Sequence, residues 1–358
     1  MTTPPDALAI GDEPLDDEPD DATPGPAVAH TLGRLSDRQP PRWGWNVVAA
    51  KEFGDGILSV RMFILLALLG PVAIVTVYST AAFVSSNAQA ASGAAGLFVL
   101  LFAHQDPTSQ VPSFTVAIGL LGPLLGIAFG FDAINAERSD RTLPRLVAQP
   151  IHRDAVIIGK FAAGLTVIGL VLLAITLIVS GIAFLVLGIS PSPDDLARVG
   201  AWFVVTLAYL GFWLAFAMLC SVVVRRSATS ALAAIALWIV LTIFSALLVG
   251  IVASYVAPVP ANATLDQQIA NAQLQLDLAR VSPGTLYSEA AAYLLDPTVQ
   301  TVGIVPIAQQ TDQRAIPSIL PLDQSLLLAW PQAVALLSLT VVCFGAGYVG
   351  FMRQEVRA

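Results

Sequence analysis

Charged side chains are scarce in this sequence. Asp, Glu, Lys and Arg make up only 12% of its 358 residues, and the mean hydropathy is +0.76. A typical soluble domain carries about 25% charged residues, which keep its surface hydrated. The composition therefore excludes a water-soluble globular protein and indicates an integral membrane protein.

Cysteine and histidine are also rare. The two cysteines, Cys220 and Cys343, both lie inside long apolar runs, so we predict small buried side chains rather than a disulfide framework. The three histidines have no Cys, His or carboxylate at metal-ligand spacing, and we predict no metal site. The sequence has no G-x-x-x-x-G-K-[ST] motif, the loop that binds nucleotide phosphates in many ATPases.

Acidic residues concentrate near the N-terminus. Eight of the 25 lie between Asp6 and Asp21, in a stretch that also contains Pro and Gly. Such sequence can bury little apolar surface, so residues 1–42 are predicted to form a disordered acidic cytoplasmic tail. Residues 43–358 are then predicted to form the membrane domain.

Six apolar windows are long enough to cross a bilayer. A hydrocarbon core of about 30 Å requires about 20 helical residues, and backbone hydrogen bonding in lipid favours helix for runs of this length. No window contains Asp, Glu, Lys or Arg. We predict an all-α membrane protein with six transmembrane helices, at about residues 62–84, 114–131, 161–189, 199–224, 228–256 and 325–352.

The basic residues predict the orientation of these spans. If the N-terminus is cytoplasmic, 14 of the 17 Lys and Arg residues lie on the cytoplasmic side, and only Arg198, Arg280 and Arg314 lie outside. This asymmetry follows the positive-inside rule, so both termini are predicted to be cytoplasmic. We expect a multi-pass protein of the plasma membrane with an external segment at residues 257–324.

Two amphipathic helices are predicted within that external segment. Apolar residues recur every three to four positions from Leu265 to Ala279. Ser282-Pro283 is typical of an N-cap and first turn, and Asp296-Pro297 would end the second helix. Neither helix can bury both faces, so we expect them to lie on the outer membrane surface or to cap the spans.

Two shorter patterns predict packing near the spans. Gly122, Gly126 and Gly130 recur every four residues in the second span, and small residues let helix backbones approach closely in a membrane. This face is predicted to pack against another helix. Before the first span, residues 43–55 include Trp43 and Trp45 and predict a short interfacial helix.

The densest polar feature is the 24-residue loop at positions 131–154. A simple turn could be far shorter, so we predict that the loop contains a short surface helix and docks a cytoplasmic partner; the alternative is a solvated positive-inside loop. Its sequence resembles the cytoplasmic motif of permease subunits of ATP-binding-cassette transporters of the second exporter type. The resemblance rests on Phe131, Asp132, Ile134, Glu137, Arg138, Thr142, Leu143, Leu146, Pro150, Ile151, Arg153, Val156, Ile157, Gly159 and Lys160.

Three further stretches of the sequence are similar to the same family. They begin at Ser221, Ser282 and Phe351, so that the resemblance extends over residues 43–358. Within the family, the architecture looks closest to permeases involved in multicopper-enzyme maturation. Two features depart from the pattern, namely Pro144 within the expected coupling helix and the acidic tail.

The resemblance implies a division of labour between subunits. The chain would bind no cofactor, and ATP and Mg²⁺ would be bound by a separate cytoplasmic ATPase docking under the loop. A second permease copy or paralogue would complete the pathway in the lipid bilayer, and no nucleic-acid partner is expected. The predicted ATPase contacts are Glu137, Arg138, Arg141, Leu143, Arg145, Leu146, Arg153 and Asp154.

Three alternative functions stay open at this stage. An ion-coupled secondary transporter usually places ionisable groups inside the bilayer, and the six windows contain no Asp, Glu, Lys or Arg. An intramembrane enzyme would need paired carboxylates, a Ser–His pair or a metal triad, and no His lies in the windows. A non-transporting membrane scaffold or sensor could share the whole pattern.

Overall fold

The computed structural model describes residues 44–86, 97–103, 112–139, 153–260, 262–296 and 320–354. All regular secondary structure in these ranges is helical. The predicted acidic tail, residues 1–42, lies outside them. In chain order the helices are α1 (Gly44–Ile57), α2 (Val60–Ser86), α3 (Leu97–Ala103), α4 (Phe114–Gly130), α5 (Asn135–Ser139), α6 (Arg153–Leu187), α7 (Pro193–Val223), α8 (Ser227–Thr242), α9 (Ser245–Val256), α10 (Leu265–Ala279), α11 (Pro283–Leu295) and α12 (Leu322–Arg353).

The helices that can cross a membrane confirm the all-α membrane class. Among the described residues, four are long and apolar enough: α4 continued by α5, then α6, α7 and α12. The pair α8 and α9 makes a fifth if it is counted as one span. The first predicted span coincides with α2, which does not belong to this set, so a total of six spans stays a prediction.

The fifth span is not the continuous helix predicted for residues 228–256. Helix α8 ends at Thr242, α9 begins at Ser245, and the two axes differ by 54°. No Pro or Gly lies between Leu241 and Ser245. The apolar run therefore carries no local signal of the bend, because sharp kinks usually coincide with such residues.

Hydrogen bonds from both sides stabilise this bend. The amide groups of Ile243 and Phe244 both donate to the carbonyl of Ile239, which closes the end of α8. The Ser282 hydroxyl donates to the Leu241 carbonyl at 2.7 Å. Ser282 occupies the predicted N-cap position of α11, but its side chain makes no capping bond there.

Helix α7 lies at the centre of the helix bundle and packs against α4, α6, α11 and α12. The glycine stripe of α4 faces it. A Cβ atom at Gly126 would lie 2.7 Å from the Leu214 amide nitrogen, and one at Gly130 would lie 2.6 Å from the Ala217 Cβ. Gly122 is similarly close to α7. Any larger residue would push the two backbones apart.

The two helices of the predicted external segment have the predicted bounds. A capping box of Thr264 and Gln267 starts α10, and the Asn271 side chain donates to two carbonyls at the end of α9. Helix α11 packs among α4, α7 and α12, with Tyr287 and Leu294 buried. It therefore caps the helix bundle, while the side of the membrane on which it lies stays a prediction.

An ion pair links α10, α11 and α12. The Arg280 Nε lies 3.1 Å from Glu289 of α11, whose carboxylate also accepts a hydrogen bond from Gln332 of α12 at 2.9 Å. Burial alone would lower the pKa of Arg280, but the hydrogen bond and charge of Glu289 outweigh it and raise that pKa. The guanidinium therefore stays charged at any physiological pH.

Candidate functional site

The predicted docking loop begins with a sharp turn after α4. Residues 131–139, which we name the elbow, comprise this turn and α5. The Ser221 hydroxyl near the end of α7 accepts hydrogen bonds from the amides of Ile134 at 3.1 Å and Asn135 at 3.2 Å. The Asn135 side chain donates to the Val224 carbonyl at 2.8 Å. These three bonds hold the elbow against the end of α7.

A lysine between two carboxylates joins the elbow to α1 and α6. The Lys160 Nζ lies 2.8 Å from Glu137 of the elbow and 2.8 Å from Glu52 of α1. The Lys160 side chain is only 7% exposed and that of Glu137 11%. Burying a charge is unfavourable unless it is paired, so each member of this cluster depends on the others.

The residue before this lysine brings α1 close to α6. A Cβ atom at Gly159 would lie 2.8 Å from the Trp45 carbonyl oxygen and 2.8 Å from the Val48 Cβ. Glycine thus permits the close approach of the two helices, and Lys160 then pairs across their interface. The stretch predicted as an interfacial helix is helical, and it packs along α6.

A second ion pair joins the elbow to the start of α2. The Arg61 guanidinium donates to both carboxylate oxygens of Asp132, with an Nη1–Oδ1 distance of 2.8 Å. Its Cζ also lies 5.2 Å from the centre of the Phe131 ring. A two-pronged guanidinium–carboxylate pair restricts orientation as well as distance, so α2 and the elbow are expected to move together.

Arg138 connects the elbow to the ends of α7 and α12. Its guanidinium donates to the carbonyls of Ser221 and Val222 and to the side-chain oxygen of Gln354, which follows α12. The Gln354 side chain donates in turn to the Val222 carbonyl at 2.8 Å. Arg153, at the start of α6, donates to the Gln354 carbonyl at 3.4 Å.

These contacts form one polar network, which we name the basal frame. It links α1, α2, the elbow, α6, α7 and α12 at the end of the bundle where α12 terminates. Its members are Glu52, Arg61, Asp132, Asn135, Glu137, Arg138, Arg153, Lys160, Ser221 and Gln354.

The predicted ATPase contacts divide into three groups. Glu137, Arg138 and Arg153 belong to the basal frame and bond within the chain. Asp154 lies in the first turn of α6, where its carboxylate accepts a hydrogen bond from the Ala155 amide. The remaining four, Arg141, Leu143, Arg145 and Leu146, lie outside the described residues. A role in binding a partner stays a prediction for all eight.

Sequence reasoning did not assign a role to several members of the basal frame. Asp132 and Lys160 belonged to the family motif, and Ser221 and Gln354 belonged to two other stretches with the same resemblance. The structure brings these separate stretches together. The pairing of Glu52 with Lys160 could not be predicted, because 108 residues separate the two in the sequence.

The basal frame connects elements that are distant in the sequence. Lys160 pairs with Glu52 and Glu137, and Arg61 pairs with Asp132. Arg138 and Arg153 donate to neutral groups, and the described residues bring together no group of three potential metal ligands. A displacement of the elbow would reach α1, α2, α6, α7 and α12 through direct contacts. Fold and site thus define a multi-pass helical membrane protein whose spans are joined at one end.

Comparison with known families identifies the chain more closely. The sequence pattern of the family described as ABC-2 family transporter protein matches residues 46–356. The chain belongs to this family and is a membrane permease subunit of an ABC transporter. A comparison with curated proteins finds no significant match.

Proposed function

We propose that this permease works with a separate cytoplasmic ATPase as an ATP-driven exporter. The family match over residues 46–356 carries this proposal, and the basal frame supports it, because it links the predicted docking loop to the spans. The ATPase would bind ATP and Mg²⁺. A second permease copy or paralogue would complete the pathway.

The proposal includes six spans, with α2 as the first. Helix α2 has 27 residues, which at 1.5 Å per residue gives about 40 Å, enough to cross the hydrocarbon core. An even number of spans places both termini on one side. The clustering of Arg61, Arg138, Arg153 and Lys160 at the basal frame favours the cytoplasm for that side, in a plasma membrane.

The docking surface is proposed to be the segment between α5 and α6. Ser139 ends α5 and Arg153 begins α6, so residues 140–152 start and return at the basal frame. Leu143 and Leu146 are proposed as apolar anchors, because buried apolar side chains contribute most to binding. The charges of Arg141 and Arg145 are proposed to orient the partner rather than to supply affinity, since single surface ion pairs contribute about 0–1 kcal/mol.

The cargo is not proposed to be copper. The resemblance to multicopper-maturation permeases concerns architecture, and soft Cu(I) ligands are Cys and Met. The sequence has only two Cys, four Met and three His. This composition provides no ladder of soft ligands across the membrane.

Co-purification tests the proposed function. The permease would be expressed with each candidate cassette ATPase from the same genome, extracted in mild detergent and pulled down by a tag on the permease. We expect the ATPase to co-purify with the wild type and with Leu265→Asp, a control at an exposed leucine of α10. Leu146→Asp should lose it.

Two outcomes would contradict the proposal. If no ATPase co-purifies with the wild type, the permease would act without this partner, and a non-transporting scaffold or sensor would be the better interpretation. If Leu146→Asp retains the ATPase and its permease-stimulated hydrolysis, the docking surface would lie elsewhere.

A further inference from the structure

A cavity lies beside the break between α8 and α9. Its volume is about 450 Å³, within the range of small-molecule binding sites. It is bordered by the start of α4, the break and one face of α11, and it lies at the opposite end of α4 from the elbow. Hydroxyl side chains from all three elements line it: Ser113, Thr115, Thr242, Ser245, Thr285 and Ser288.

The hydroxyl of Thr242 is unusual among the threonines of the spans. Thr176, Thr206 and Thr340 each donate to the carbonyl four residues earlier, at 2.7–2.8 Å, which is the usual arrangement in an apolar helix. The Thr242 Oγ1 is buried and has no hydrogen-bond partner. A buried hydroxyl without a partner is unfavourable by about 1–3 kcal/mol. Other atoms of Thr242 line the cavity, so a rotation about χ1 would turn the hydroxyl toward an occupant, and a hydrogen bond formed there would stabilise the complex.

The break supplies further hydrogen-bonding groups at the same place. Helix α9 starts without a side-chain cap, and its first residue, Ser245, lines the cavity. The first amide groups of a helix have no intrahelical acceptor. Irregular backbone at membrane depth is tolerated where it lines a cavity, and the residues at the break, Leu241, Thr242 and Ser245, all line this one.

The remaining lining indicates what such an occupant would be. Val116, Leu120 and Leu241 give the cavity apolar walls. Of the described residues that line it, none is Lys, Arg or His, and Asp296 is the one carboxylate. An anion would find no positive side chain, while an apolar molecule with a hydroxyl, ether or carbonyl oxygen would match both walls and donors.

We propose that this cavity binds an uncharged amphiphile through a hydrogen-bonding oxygen next to Thr242. This names the class of cargo for the proposed transporter, and that assignment as cargo rests on the proposed function. The binding itself needs no ATPase. A failure of the binding test is therefore distinguishable from a failure of ATPase co-purification.

A neutral dye tests the proposal directly. The permease alone, in lipid nanodiscs, would be titrated with Nile red, a neutral apolar dye with a carbonyl oxygen, and the signal of empty nanodiscs would be subtracted. We expect saturable binding. Ala292→Phe, which adds a ring at the cavity wall, should abolish it, and Ala236→Phe on an exposed face of α8 should not.

A second pair of variants tests the hydrogen bond without filling the cavity. Thr242→Val keeps the shape and removes the hydroxyl, and should raise the Kd for Nile red about three- to ten-fold. Thr166→Val is the matched control, because the Thr166 hydroxyl bonds to the Ala162 carbonyl of its own helix. It should leave the Kd unchanged. Thermal unfolding of each variant would show that the fold is retained.

Three results would overturn the proposal. The first is a wild-type signal no greater than that of empty nanodiscs. The second is unchanged binding in both Ala292→Phe and Thr242→Val. The third is tighter binding of anionic anilinonaphthalene sulfonate or cationic rhodamine 6G than of Nile red, with the same sensitivity to Ala292→Phe, which would assign the cavity to a charged ligand.

Discussion

The Lys160 Nζ lies 2.8 Å from the Glu137 carboxylate, across the gap between α6 and the elbow. Glu52 approaches the same nitrogen from α1, also at 2.8 Å. One cation therefore holds together three elements that are distant in the sequence. Because the lysine is almost fully buried, its removal would take the nearest cation from both carboxylates, and the exposed Lys51, 3.9 Å from Glu52, would replace it poorly.

Replacement of this lysine should destabilise the protein strongly. We expect Lys160→Met to lower the free energy of unfolding by about 3 kcal/mol, near the lower end for broken buried pairs because Glu52 is 25% exposed. Thermal unfolding in detergent would measure the change. Lys51→Met is the matched control: Lys51 is 67% exposed and its carboxylate contacts are 3.9 Å long, so its effect should stay below about 0.5 kcal/mol.

Glu137→Gln combined with Lys160→Met should recover part of that loss, because the pair is then removed rather than broken. If Lys160→Met and Lys51→Met unfold at the same temperature, the cluster has no structural importance.

Replacing a glycine by alanine should destabilise the protein where the glycine packs against α7, and not where the glycine has open space around it. At Gly126, a Cβ would lie 2.7 Å from the Leu214 amide nitrogen and 2.8 Å from the Leu210 carbonyl oxygen, both backbone atoms that cannot rotate away. Gly126→Ala should therefore destabilise by about 1–3 kcal/mol. Gly181→Ala in α6 has open space around it and should stabilise slightly, because alanine favours helix. Equal unfolding temperatures for the two variants would contradict the packing of α4 against α7.

Replacement of the buried residue Arg198, at the opposite end of α7, should also lower the stability of the protein. The Arg198 side chain is 3% exposed, pairs with Asp194 at 2.7 Å and donates to Ser325 and to the carbonyls of Leu294 and Leu320. Arg198→Met should leave these buried acceptors without a donor and destabilise by about 2–4 kcal/mol. Exposed Arg226 provides the control, since Arg226→Met should change stability by less than about 0.5 kcal/mol. Thermal unfolding of both variants checks this, and a small effect at Arg198 would contradict it.

Local patterns in the sequence predicted the elements that depend on neighbouring residues. The bounds of α10 agree with the apolar periodicity from Leu265 to Ala279, and those of α11 agree with the signals at Ser282-Pro283 and Asp296. The second predicted span, 114–131, agrees with α4 to within one residue at its end. Such features depend on hydrogen bonds and proline geometry within a few neighbouring residues, so they can be read from a single sequence.

Long-range contacts could not be predicted in the same way. The bend after Thr242 has no Pro or Gly and depends on Ser282, 41 residues away from the carbonyl it contacts. Arg61 and Asp132 are 71 residues apart, and each alone is an ordinary charge at the edge of a span. The role of Glu137 within the chain was missed for the same reason: its partner Lys160 lies on α6.

Labelling of introduced cysteines tests the proposed orientation. The native Cys220 and Cys343 would first be replaced by serine or alanine. On intact cells, an impermeant maleimide should label Gln273→Cys, at an exposed position of α10, and should label Gln149→Cys only after the membrane is opened. This expectation rests on the 14-to-3 distribution of basic residues. Labelling of Gln149→Cys alone on intact cells would reverse the topology and move the proposed ATPase contacts outside.

The final prediction separates binding of the ATPase from transmission through the basal frame. Glu137 precedes the proposed docking segment in the sequence, and its carboxylate lies against Lys160. Glu137→Gln preserves size and a hydrogen-bond acceptor, but it removes the charge that attracts the lysine. The elbow should then be held less firmly to α6 while the docking segment is unchanged. We expect the ATPase to co-purify at the wild-type level, whereas less cargo moves per ATP hydrolysed.

Reconstituted liposomes with ATP would measure both quantities, with transport of a neutral fluorescent amphiphile as one signal and phosphate release as the other. Leu146→Asp should give the opposite pattern, in which the ATPase is lost and the transport that remains per bound ATPase is normal. Asp55→Asn is a useful control, because the Asp55 side chain is 71% exposed and its contact with Lys51 is 3.9 Å long; the basal frame predicts wild-type transport per ATP for it. If Glu137→Gln instead releases the ATPase as Leu146→Asp does, Glu137 contacts the partner directly. A Glu137→Gln variant with wild-type binding and wild-type transport per ATP would show that this ion pair stabilises the fold without transmitting movement.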